Sequence, residues 1–109
     1  MYGLNELHIN KIISVFANYP DIYKAILYGS RAKGNYREGS DIDISLVGDK
    51  LNLNKLLRIE TELDDLLLPY NIDISIFDKL DNQELIQHIK RVGIILYEKG
   101  IKPSGQLYK

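Results

Sequence analysis

Asp41 and Asp43, two residues apart, are the first positions in this 109-residue chain whose type and spacing suggest chemistry. They lie in DIDISLV, Asp41 to Val47, where polar and apolar residues alternate as in a β-strand with one buried face. Both carboxylates then project from one side, while Ile42 and Ile44 enter the core on the other. Paired carboxylate oxygens are hard donors suited to Mg²⁺, which keeps several waters and takes phosphate oxygens as further ligands. A second alternating segment, IDISIF from Ile72 to Phe77, sets Asp73 opposite its isoleucines, and Asp73 is the only later acid centred in a strand pattern. On a neighbouring strand it would complete a site for two ions ~4 Å apart, steadying the attacking and leaving oxygens of an in-line displacement.

Upstream, the run Gly29-Ser30-Arg31-Ala32-Lys33-Gly34 follows directly on the apolar segment KAILY, Lys24 to Tyr28. Gly29 would let backbone approach a phosphate closely, and the Ser30 hydroxyl and the N–H groups of a following helical turn would donate to its oxygens. Arg31 and Lys33 are both placed to supply positive charge, and the sequence does not choose between them. Taken singly, an Asp-x-Asp is a solvated strand face and a Gly-Ser a turn. The combination, straight after an apolar strand, gives them weight. His8 and His88 are lone histidines on helical segments, where surface or capping roles are expected.

The elements that must position these residues follow from periodicity. Apolar residues at helical spacing predict a helix over Leu7 to Phe16, ending before Asn18, Tyr19 and Pro20. Lys24 to Tyr28 reads as a buried strand, and Gly29 to Ser40 as a loop with one helical turn. A stripe from Leu53 to Leu67 predicts a second helix, with Pro69 and Asn71 beyond its end. Asp81 or Asn82 is placed to cap a helix from about Gln83 to Arg91, and Ile94 to Tyr97 returns as a short strand. The reading is one domain over residues 1–100 and a mobile tail over 101–109, which carries Pro103, Ser104 and Gly105. The eight tyrosines are expected in core and rim, with Tyr97 and Tyr108 also available to a partner surface.

Composition narrows the function classes. With 14 Lys and Arg against 15 Asp and Glu, the charge of -1 gives no bulk reason to bind nucleic acid or an anionic membrane. Absence of cysteine excludes disulfides, thiolate nucleophiles and cysteine zinc sites. The N-terminal residues lack a signal-peptide pattern, and no apolar run approaches the ~20 residues of a membrane span. A soluble protein of the cytoplasm is the expectation.

The Gly29-Ser30 pair, a ten-residue spacer and Asp41-Ile42-Asp43 together resemble the signature of the DNA polymerase β-like nucleotidyltransferase superfamily. The compact form GSRAxG followed by SDID is similar to the minimal nucleotidyltransferase (MNT) domains that pair with HEPN-domain toxins in prokaryotic toxin–antitoxin modules. The resemblance is carried by about residues 25 to 47, and the order of later elements is compatible with it through Tyr97. It implies an α/β, polymerase β palm-like fold: a short mixed sheet of three to five strands flanked by helices. It implies Asp41, Asp43 and Asp73 as catalytic and metal-binding residues, and Gly29, Ser30, Arg31 and Ser40 as nucleotide-binding ones. Mg²⁺, two ions per site, would be the cofactor and ATP the substrate. One domain of this size leaves little room to hold an acceptor. The resemblance implies that the acceptor is a hydroxyl, a tyrosine, on a partner HEPN RNase, which is silenced by added AMP. Two other readings stand beside it: an antitoxin that neutralises by binding alone, and a transferase for small molecules of the aminoglycoside type.

Overall fold

The structure, a computed structural model, describes residues 1–100 of the chain; the expected tail over 101–109 and Tyr108 lie outside the described residues. Helix α1 covers Glu6–Ala17, with the Asn5 side chain accepting from the Leu7 N–H at its start. Strand β1, Lys24–Tyr28, falls where its apolar run predicts. It passes directly into a single-turn helix α2, Gly29–Lys33, closed by Gly34 at φ 89°, a conformation open to glycine. Strand β2 is Ile42–Val47, so Asp41 stands just before the strand.

Helix α3 runs Leu53–Asp64 from an Asn52 cap. It ends earlier than the apolar stripe suggests, because Leu67 turns into the left-handed region at φ 55° and is 89% exposed. Strand β3 covers Ile72–Ile76, and Phe77 begins a short 3₁₀ turn instead of continuing the strand. Helix α4, Gln83–Val92, is capped by Asn82, the second of the two candidates, and β4 covers Ile94–Glu98.

The four strands order as β3-β2-β1-β4, with β2 and β3 parallel and the other pairs antiparallel. The parallel pair requires a crossover, which α3 supplies. Ala25, Leu27, Ile42, Ile44, Leu46, Ile74 and Ile76 form one face, buried beneath apolar residues of α1 and α3. Tyr97 joins that core, its ring 6.3 Å from that of Phe16, so it does not serve an outer surface. Helix α4 lies over β1 on the opposite face, and the β2–β3 part of that face holds the polar residues. Among the described residues, no helix is long and apolar enough to cross a membrane.

Candidate active site

The sheet register brings the predicted residues into one row. Tyr28 pairs with Asp43, and Asp43 with Asp73, so the three side chains stand side by side on the face away from the core. Asp43 is half-buried, whereas Asp41 and Asp73 are exposed at its flanks. Burial pushes the Asp43 carboxyl above the ordinary range, and the negative charges of Asp73 and Asp41 push it further; His88 acts in the opposite sense. Burial also raises the Tyr28 phenol, the Ser75 hydroxyl opposing and the two aspartates reinforcing the shift.

Gly29 joins the second motif to this row. Its φ is 76°, and a Cβ there would overlap the Asp43 carboxylate, so glycine is required both by backbone conformation and by the close approach. The glycine-serine turn and the aspartate pair are thus one packed unit, although eleven residues lie between Gly29 and Asp41 in the chain. Ser30 is half-buried beside it, its carbonyl accepting from the Gly34 N–H.

Three like charges converging on one end of a sheet, next to backbone that can approach closely, form a donor set suited to a hard cation. Among the described residues no three His, Cys, Asp or Glu side chains already stand close enough to hold an ion by themselves. This is compatible with Mg²⁺, which takes one or two carboxylates and completes its shell with waters and substrate phosphates.

Two expected residues are occupied differently. Arg31 is only 3% exposed, and its guanidinium donates to backbone carbonyl oxygens, including Ser40 O from both Nε (3.1 Å) and Nη2 (2.8 Å). It is therefore turned into the protein, its donors directed to the Ser40 and Tyr2 carbonyl oxygens. Lys33 is the exposed cation of the pair. The Ser40 hydroxyl accepts from the Arg37 N–H at 2.8 Å and closes a local turn.

Two residues escaped the sequence reading. His88 takes a cap-like role, but on another helix and beside the carboxylates: its Nε2 accepts at 3.2 Å from the N–H of Gly29, the first residue of α2, and its ring meets Tyr28 edge-on at 6.1 Å. The signal was present, since His88 lies three residues after Leu85 and four before Val92, on the apolar stripe of α4. Tyr28 enters the site only through strand register, which its own segment does not reveal. His8 is half-buried, with Nδ1 3.2 Å from the Tyr70 hydroxyl.

The profile of the family described as "Polymerase beta, Nucleotidyltransferase" matches residues 10–102. A protein of Methanocaldococcus jannaschii, provisionally named a protein adenylyltransferase, is 36% identical over 83 residues, covering 70% of this chain and 79% of that one. Among solved structures, one chain of a toxin–antitoxin complex with AMP-PNP superposes with a TM-score of 0.67 at 25% identity, over 88% of this chain and 75% of that one. The Shewanella oneidensis complex of a tri-AMPylated HEPN toxin with its MNT antitoxin gives 0.65 at 23% identity, over 91% and 74%. At that identity the second likeness concerns the fold.

Proposed function

The chain belongs to the polymerase β nucleotidyltransferase family, and from that membership we propose that it transfers AMP from ATP to a hydroxyl, a tyrosine, of a partner HEPN toxin, acting as the antitoxin of the pair. The observation that carries this reading is the packing of Gly29 against Asp43, with Asp73 in register beside it. A close-approach backbone and registered carboxylates are what a triphosphate held on metal ions needs. The adenylyltransferase relative and the AMP-PNP complex support the choice of nucleotide. The AMPylated HEPN toxin bound by an antitoxin of this fold is the precedent for a protein acceptor; the choice of tyrosine follows from the motif resemblance.

In this proposal Gly29 and Ser30 hold the triphosphate, with backbone close to its oxygens and the hydroxyl donating. Asp41 and Asp43 are the carboxylate ligands for Mg²⁺, and Asp73, at the outer end of the row, holds the acceptor side. Mg²⁺, when bound, neutralises the charge that develops on the α-phosphate and on the departing pyrophosphate. Asp73 aligns the acceptor hydroxyl and accepts its proton as the new ester bond forms. The aspartates' mutual repulsion is relieved by the cation, so nucleotide and Mg²⁺ together raise the melting temperature more than either alone.

The test is intact-mass measurement of a co-purified HEPN partner before and after incubation with ATP and Mg²⁺. The partner gains mass in whole AMP increments with wild type and none with Asp73→Asn. A partner left unmodified, yet inhibited equally by wild type and by aspartate variants, would establish neutralisation by binding alone.

A further inference from the structure

Asp43 and Asp41 are neighbours in sequence but are held by different means. Asp43 sits inside β2, where the ladders to β1 and β3 set its position. Asp41 precedes the strand, and its placement depends on what holds the residues to either side. On one side the Ile42 N–H donates to Asn71 O at 2.8 Å. On the other the Ser40 carbonyl is gripped twice by Arg31, from Nε and Nη2.

We infer that Arg31 is a positioning residue for Asp41: its buried guanidinium fixes the distance between the turn that carries Gly29 and Ser30 and the loop that delivers Asp41. The inference rests on the nucleotidyl-transfer reading of this site. Arg31 occupies the third position of α2, so it moves with Gly29 and Ser30. Its far end meets a loop that is itself closed, because the Ser40 N–H donates to Arg37 O at 3.0 Å and the Ser40 hydroxyl accepts from the Arg37 N–H. Nη1 reaches a third anchor, Tyr2 O, at 3.0 Å, and the guanidinium carbon lies 5.2 Å and 5.4 Å from the ring centres of Tyr70 and Tyr36. A planar fork with two aromatic neighbours is specific to arginine; a lysine in this place brings one compact charge and cannot make the paired contact with Ser40 O.

Displacement of a reacting group by ~1 Å can cost on the order of 100-fold in rate. Arg31→Met, assayed at a temperature where circular dichroism shows it folded, should lower kcat by about that factor while KM for ATP stays within about threefold, since Gly29 and Ser30 remain. Arg31→Lys should recover part of the loss, and it carries the test if the methionine variant fails to fold. Independently of activity, amide hydrogen exchange should quicken at residues 40–42 in both variants and stay unchanged at 43–46. A purely structural role would lower the melting temperature but leave kcat per folded molecule and the 40–42 exchange at wild-type values, and that result overturns the inference. Absence of transfer by the wild type in the same assay overturns the underlying reading instead, so the two failures are separable.

Discussion

The two faces of the sheet are built from the same strands and differ in nearly everything else. On one side Ile42, Ile44 and Leu46 are wholly buried with Ala25 and Leu27, Ile74 and Ile76 are nearly so, and burial of apolar area explains each position. One residue along each strand, on the reverse side, stand Asp43 and Asp73, then Ser45 and Ser75, whose hydroxyls are 3.0 Å apart. The first face stabilises the fold and offers no chemistry. The second gathers like charges, whose mutual repulsion opposes folding. Stability and reactivity are thus separated by the pleat of a strand and not by distance along the chain.

The sharpest way to break this contrast is Asp43→Asn. Transfer should fall by about a thousandfold or more, the several kcal/mol that a metal-held site supplies, while the metal-free protein melts higher than wild type. The sign follows from the raised Asp43 pKa: the folded state holds the proton more readily than the unfolded chain, so ionisation costs stability above the ordinary carboxylate range. That cost is lost as pH falls through the raised folded-state value towards the unfolded-state value of ~4, so the melting-temperature gap between variant and wild type should be smaller at pH ~4 than at pH ~7. A variant that melts lower than wild type at neutral pH would contradict the account of this face.

Ile44→Ala probes the other side of the same strand. Loss of a wholly buried isoleucine should destabilise by about 2–5 kcal/mol in denaturant titration, with kcat per folded molecule close to wild type. A selective loss of kcat without loss of stability would show that the faces are not separable. Gly29→Ala is the smallest perturbation and touches both properties. The left-handed backbone costs a residue with a Cβ about 1–2 kcal/mol, and the added methyl displaces the Asp43 carboxylate. A modest drop in melting temperature with a disproportionate drop in transfer is the expected pattern.

Much of this was legible in the sequence because period-two alternation writes both faces of β2 and β3 at once: the isoleucines that specify the core also specify where Asp43 and Asp73 point. The remainder was hidden for physical reasons. Arg31 follows Ser30 directly, which suggests a phosphate ligand, but whether an arginine turns inward depends on a loop nine residues further on. The role of His88 depends on which face of α4 meets which turn, a tertiary fact. The end of α3 is hidden because Leu66 and Leu67 prolong an apolar stripe that the backbone abandons at Leu67.

The register of β2 against β3 also acts as a check on assembly. Asp43 opposite Asp73 and Ile44 opposite Ile74 are the same alignment, and a slip of one residue would drive Asp73 into the core and isoleucines into water. Misaligned chains are therefore rejected by their own instability before they can persist as folded but inactive molecules. After denaturation, recovery of activity should follow recovery of secondary structure with a single time course, since the molecules that have refolded are the molecules that have a site.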